Sequence, residues 1–336
     1  MGSTKSGKQD YKQLLMEYLE TGDESVLYRA EQFSKNSIQQ SISPDEIVNE
    51  HYQSLLDIIP DMDDRIKSSF QFLIETMISY GMAYQEYHVL REKQIELRSE
   101  IGVAANMQDT LLKTQVPQVD SLDIGVKSVA AKEMNGDYHH FIIDDKGNIG
   151  IAIADVIGKG IPAAFCMSMI KYALESFSEN QIFPKYILDS INRVVERNVK
   201  EGMFVTMFYG FYDVDTNYFH YASAGHEPGF ILRKESHEFE EIDAKGLLLG
   251  VESEVTYEEK FTQIEKDDII VLFTDGVTEC RYGDRFIEQE EVLDVIKSFS
   301  HLPAQEIVDS VYKYFERLQD FELRDDFTIA VLKRIK

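Results

Sequence analysis

Two kinds of apolar spacing divide the chain near residue 115. From about residue 10 to 112, apolar side chains recur every three to four positions, the period of amphipathic helices. Leu14, Leu15, Tyr18 and Leu19 mark one face. Val26, Leu27, Ala30 and Phe33 continue the pattern, with Ser34 and Ser37 on the same spacing. Ser43-Pro44-Asp45-Glu46 reads as a helix start, with Ser43 as N-cap, Pro44 at the first helical position and acids in the first turn. Ile47, His51, Leu55 and Ile58 follow, until Pro60. A longer pattern opens near Asp63, with Phe70, Leu73, Ile74, Met77 and Ile78 turned toward a partner surface. The spacing predicts a four-helix unit with short connections.

The last of these helices carries a seven-residue repeat. Leu90, Leu97, Ala104 and Leu111 form one seam; Tyr87, Gln94, Ile101 and Gln108 form a second, mixed one. Such a repeat describes either an amphipathic linker folded onto its own chain or a parallel helix that dimerises with polar-spotted packing. Gly102 interrupts it and weakens the helix by about 1 kcal/mol relative to Ala, the place for a hinge.

Beyond residue 120 the period changes. Strand-like runs occupy 123–131, 138–144, 148–154, 204–213, 218–224, 229–233, 268–274 and 327–333; helical runs occupy 162–178, 184–199, 289–299 and 303–318. DDKGN and DVDTN join strands in hairpin-like pairs. The fold class is α+β, with antiparallel sheet covered by helices. The expected organisation is a helical domain over 1–84, a helical linker over 85–119 and a second domain over 120–336.

Composition narrows the class of partner. The chain of 336 residues has 34 basic and 60 acidic side chains, a net charge of −26. That field repels nucleic acid and anionic membranes. No apolar run reaches the roughly 20 residues that span a bilayer. The terminal MGSTKS fits the short myristoylation pattern at Gly2, but nothing else points to a membrane, and a frayed or added terminus is the simpler reading. Cys166 and Cys280 lie far apart without CxxC spacing, which disfavours a disulfide framework and a structural zinc and suits reduced thiols in the cytoplasm.

Four aspartates carry the candidate chemistry. Asp137 in NGDY, Asp155 in IGIAIADVIGKG, Asp275 in IIVLFTDGVTE and Asp325 in RDDFTIAVL each adjoin an apolar run. Singly, each is an ordinary turn former or helix cap. Together, acids where buried strands meet solvent form a pocket of negative charge, in which like charges raise one another's pKa. Hard divalent cations relieve that cost with carboxylate and water ligands, so the pattern points to a two-metal hydrolase. The glycines after Asp155 permit a turn that directs the Val156 carbonyl and the Asp155 carboxylate into one pocket, before Pro162 opens a helix.

Other features read as bland. Asp213, Asp215 and Asn217 begin like an EF-hand loop, but Tyr218 and Ala224 stand where Gly and Glu belong; a hairpin turn is expected. The eight histidines have no HExxH spacing. His226 in SAGHEPG lies in a glycine-rich loop as a candidate lining residue. Ser168 and Ser223 lack a GxSxG setting.

The ordered set NGDY, ADVIGKGIPAA, SAGHEPG, FTDGVTE and DDFTIAVL resembles the PPM-type metal-dependent serine/threonine phosphatases, in the bacterial regulatory branch typified by SpoIIE and RsbU. FLIETMISYGMAYQEY and LRSEIGVAANMQDTLL extend the resemblance to the N-terminal half. It implies an antiparallel β-sandwich flanked by helices and two Mn²⁺ or Mg²⁺ ions. Asp155 would bridge them, the Val156 carbonyl would hold one, Asp275 and Asp325 would complete the other site, and Asp137 would contact a metal directly or through water. Asp325 is preferred to Asp326, which would orient it; Asn135 replaces the usual Gly or Ser. Lys132 and Lys159 are candidates for phosphate binding. The implied substrate is a phosphorylated anti-sigma factor antagonist of the RsbV type, the implied activator a kinase-like protein of the RsbT type, and the implied setting the sigma-B stress response, with a homodimer in the activated state. The rivals are a pseudophosphatase binding module and another two-metal phosphoesterase.

Overall fold

The computed structural model describes residues 3–40, 42–158, 160–177, 183–199, 202–282, 285–319, 321 and 323–336. Gly2 and Lys159 lie outside them. Packing divides the chain into two units, Met1–Arg98 and Ser99–Lys336. The first contains α1 (Ser3–Thr21), α2 (Glu24–Gln39), α3 (Pro44–Ile58) and the first part of α4 (Asp64–Leu112), the four helices that the spacing predicts. Ser43 takes the N-cap position with Pro44 at the start of α3, although its side chain makes no capping bond. Aromatic contacts join the helices: Tyr11 meets Phe33 with centroids 5.1 Å apart, and its hydroxyl lies 3.0 Å from His51 Nδ1. The core is thin. Among the described residues of this unit, only Val26 and Met62 are fully buried apolar side chains. Tyr18, Leu19, Leu73 and Ile78 are exposed on this unit.

The second unit is built from two antiparallel five-stranded sheets. One has the order β1 (Leu122–Val129), β12 (Phe327–Arg334), β9 (Ile269–Phe273), β6 (Gly229–Leu232), β7 (Phe239–Ile242). The other has the order β2 (Asp137–Ile143), β3 (Ile149–Ile157), β4 (Phe204–Tyr212), β5 (Tyr218–Ala224), β8 (Lys260–Gln263). Ile149, Ile151 and Ile153 of β3 and Phe208 of β4 pack against Ile270, Leu272, Ala330 and Leu332 of the facing sheet. Alternate residues of β3, Ala152, Ala154 and Val156, pack on α5 (Ile161–Glu175) and α6 (Pro184–Asn198). Burial on both faces explains why this strand reads as a continuous apolar run. The other sheet is covered in the same way by α8 (Gln289–Phe299) and α9 (Ala304–Leu318). The result is a helix–sheet–sheet–helix sandwich, as the resemblance implies. A one-turn α7 (Asp275–Thr278) and a short β10–β11 hairpin (Arg281–Tyr282, Arg285–Phe286) complete the elements. Among the described residues, no helix is long and apolar enough to cross a membrane.

The linker reading needs one correction. Leu90 and Leu97 are 60% and 57% exposed, as a free seam would be. Gln108 is not a seam position: it is buried in the second unit, where Leu112 packs against the core under α5 and α6. Apolar periodicity registers a stripe on a helix without saying what covers it.

Candidate active site

Strand register brings the acids together. β2 pairs with β3 so that Asp137 stands directly opposite Asp155. Along both strands these positions share parity with the side chains of the sandwich interior, so the carboxylates stand at one end of the cleft between the sheets. Thr274, just past β9, and Thr328, in β12, have inward parity on the other sheet and are fully buried. Thr274 Oγ1 donates to Asp137 Oδ2 at 2.6 Å, and the Thr328 backbone N–H donates to Thr274 Oγ1 at 3.2 Å.

The remaining acids come from a helix start and from the segment before β12. Asp326 directs one carboxylate oxygen to the Ala131 N–H at 2.7 Å and the other to the Gly136 N–H. A Cβ added to Gly136 would lie 3.0 Å from Asp326 Oδ2, 3.4 Å from Asp155 Oδ1 and 4.0 Å from the Val156 carbonyl oxygen. The turn after β3 has φ +144° at Gly158 and +80° at Gly160, values that suit glycine. Before that turn, Asp155 Oδ1 and the Val156 carbonyl oxygen both lie beside Gly136. Asp275 does not end a strand but starts α7. Gly276 lies so close to the Asp326 backbone that a Cβ would sit 1.9 Å from its carbonyl oxygen, which holds FTDG and RDDF side by side. The four acids therefore do not share one local context: Asp137 opens a strand, Asp155 lies within one, Asp275 starts a helix and Asp325 precedes a strand.

Burial lifts the Asp137 carboxyl well above the usual range; hydrogen bonds from Thr274 and Thr328 oppose this, and the charges of Asp155 and Asp326 reinforce it. Burial, then the charges of Asp275 and Glu279, also hold Glu227 high. Among the described residues, no three His, Cys, Asp or Glu side chains form a closed ligand set. The oxygens converging beside Gly136 are nevertheless two carboxylates and a carbonyl, the hard donors that Mg²⁺ and Mn²⁺ take. Lys132 borders a largely apolar cavity of about 370 Å³ that reaches Asp326 and includes Ile161 and Pro162.

Several residues of this site escaped the sequence reading: Thr274, Thr328, Glu227 and Gln108. A hydroxyl inside IIVLFT and another inside FTIAVL are the available signal, because a buried hydroxyl needs a partner. His226 is buried, with Nδ1 2.9 Å from Thr206 Oγ1; Thr206 pairs with Asp155 across β3–β4. Asp213 to Asn217 form a hairpin turn, as expected. Cys166 and Cys280 are free and buried, and burial pushes their thiols up to about 11 and about 12, which removes both as thiolate nucleophiles.

Three histidines make stability sensitive to acid. Burial depresses His139, His140 and His226 to about 4, from an ordinary value near 6.5. A depressed basic group binds its proton more readily unfolded, so stability is full above about pH 6.5 and falls as pH drops toward 4. The expected loss is on the order of 3 kcal/mol for each histidine across that interval. Thermal melts from pH 7 to 5 should show Tm falling; a flat profile, or an unchanged slope in His140→Gln, would contradict this.

Known proteins resemble this chain in sequence and in fold. The model of the RsbU N-terminal domain covers residues 9–83, and that of the stage II sporulation protein E family covers residues 145–335. The phosphoserine phosphatase RsbU of Bacillus subtilis is 50% identical over 327 residues, which span 97% of each chain. Among solved structures, the PP2C domain of SiaA from Pseudomonas aeruginosa superposes with a TM-score of 0.60 at 17% identity, covering 73% of this chain and 98% of that one. The PP2C domain of Bacillus subtilis SpoIIE with a fragment of its regulatory domain gives 0.54 at 17% identity, covering 82% and 98%. These two carry the fold alone, whereas the full-length match carries the family. The chain belongs to the RsbU family of PPM-type serine phosphatases, with an RsbU N-terminal domain followed by a SpoIIE-type catalytic domain.

Proposed function

We propose that this phosphatase uses two divalent cations, Mn²⁺ or Mg²⁺, to dephosphorylate an anti-sigma factor antagonist of the RsbV type in the cytoplasm. The observation that carries the reading is the meeting of four acid-bearing segments at one end of the sandwich. Asp155 would serve both ions, the Val156 carbonyl would hold one of them, Asp275 and Asp325 would complete the other site, and Asp137 would contact a metal directly or through water. When bound, the ions supply a water of lowered pKa and neutralise phosphoryl charge. The chain's own contribution is placement. Thr274 and Thr328 fix the Asp137 carboxylate, Asp326 ties the Ala131–Gly136 loop to β12, and Gly276 lets Asp275 approach Asp325. Lys132 offers a cation to the phosphoryl group at the rim.

The helical half is the input. Residues 1–84 act as a binding and dimerisation domain for an RsbT-like activator, 85–119 as linker and 120–336 as catalyst, and release of the antagonist frees sigma-B. Exposed apolar residues support this: Phe72 and Met82 are 77% and 69% exposed on α4, above Leu90 and Leu97. Leu97→Asp is expected to abolish activator stimulation and leave basal hydrolysis unchanged; full stimulation in that variant would refute the linker role.

The direct test is phosphate release from a phosphorylated RsbV-like protein with Mn²⁺, with and without the activator, against EDTA and Asp155→Asn. Cation-dependent release that rises with activator supports the reading. Release that persists in EDTA or in Asp155→Asn overturns it, as does no release under any condition.

A further inference from the structure

Gln108, in the last turns of α4, is 4% exposed. Its Nε2 donates to the Asn135 carbonyl at 2.8 Å, and its Oε1 accepts from the Asn135 N–H at 3.0 Å. One side-chain amide thus satisfies both backbone groups of one loop residue, as a neighbouring strand would. Glutamine suits the role because a single planar group offers a donor and an acceptor side by side. Nε2 also lies 3.5 Å from Met167 Sδ of α5. The Lys171 ammonium, on the same helix, donates to the Leu111 carbonyl at 2.5 Å and closes the end of α4.

Asn135 lies at the head of the acid cluster. Its Oδ1 accepts from the Asp137 N–H at 3.0 Å, and its Nδ2 donates to Ser128 Oγ at 3.0 Å. Ser128 Oγ is 2.9 Å from Thr328 Oγ1, while the next residue, Gly136, donates to Asp326 and accepts from the Val156 N–H at 3.1 Å. With Thr274 on the Asp137 carboxylate, the network closes around Asp137, and Gln108 is the member that α4 supplies.

We propose that Gln108 is a positioning residue for the phosphatase reaction. By holding both backbone groups of Asn135 it sets Gly136 and Asp137 in the register that a divalent cation requires. The role rests on the metal-dependent reading given above. Loss of an outer hydrogen-bond partner of a metal site typically costs about 10–100-fold in metal affinity or activity. A merely structural glutamine would lower Tm and leave cation affinity alone.

The experiment compares the full-length wild type with Gln108→Met, which keeps length and loses the amide, and Gln108→Asn, which keeps the amide and withdraws it by one methylene. Met107→Ala, an exposed neighbour on the same turn, is the control. Mn²⁺ affinity is read by titration calorimetry, and amide exchange of the segment around Asn135–Asp137 is read in metal-free protein. The expected result is Mn²⁺ binding weakened about 10–100-fold in both Gln108 variants, faster exchange confined to that segment, and wild-type values in the control. Unchanged Mn²⁺ affinity in whichever Gln108 variant folds, with wild type binding normally, overturns the inference alone. A wild type that binds no Mn²⁺ overturns the metal reading and the inference with it.

Discussion

Asp137→Asn is expected to cut phosphate release by about 100-fold, the upper end of what loss of a partner at a metal site costs, while raising the melting temperature of the metal-free protein. The two effects have one origin. Asp137 is 4% exposed, faces Asp155 across the β2–β3 ladder and has Asp326 nearby. Its carboxyl is held well above the ordinary range, first by burial and then by those charges. For a raised acid, the stabilising contribution is present below the unfolded pKa and is lost as pH rises through the folded one. At neutral pH the acid is therefore a cost to the metal-free fold. Asparagine has the shape of the protonated acid, still accepts from Thr274, and carries no charge to desolvate. Melting in EDTA at pH 7.5, beside phosphate release in Mn²⁺, checks both halves. A variant less stable than wild type without metal would show that the charge is not what burial penalises, and retained activity would remove Asp137 from the site.

Arg233→Ala is expected to give the largest loss of stability outside the active site. Arg233 follows β6 in one sheet and reaches β8 in the other, donating to Thr262 Oγ1 at 2.9 Å and to the Gln263 carbonyl at 2.7 Å. The same guanidinium donates to Asp268 at 2.8 Å and to Glu240 at 2.7 Å. Asp268 is 1% exposed, so removing the arginine strands a buried charge, and breaking such a pair costs about 3–5 kcal/mol. Backbone N–H groups of Lys234 and Glu265 still donate to Asp268, which places the loss at the lower end. For a domain of this size that is a fall in Tm of roughly 6–12 °C. The double variant Arg233→Met with Asp268→Asn should recover much of it, because no buried charge is left alone and the amide oxygen still accepts from the backbone. An unchanged Tm in Arg233→Ala would show that the pair is solvated in solution.

The prominence of these residues in the sequence does not follow their importance. Asp155 stands out because an acid interrupts an apolar run, and its neighbours Gly158 and Gly160 announce the turn. Asp268 and Arg233 look like any surface pair. Gln108 matches a seven-residue seam, so its spacing argued for a partner helix, yet it is buried in the catalytic unit. β7 and β8 passed unnoticed because FEEI and KFTQ are short, polar edge strands with little apolar face to read.

Local patterning by itself determined the four N-terminal helices, eight of the strands, the four long helices of the catalytic unit and the four candidate aspartates. These follow from periods of 3.6 and 2 and from turn residues, which need no knowledge of distant chain. The ordered motifs added the family. Only the tertiary structure decided which strand ends meet. β1 pairs with β12, Thr274 finds its acceptor 137 positions earlier, and Ser128 meets Thr328 across 200. Such partners are chosen by sheet register and by which faces turn inward, and a slip of one residue would send every one of those side chains to the opposite face.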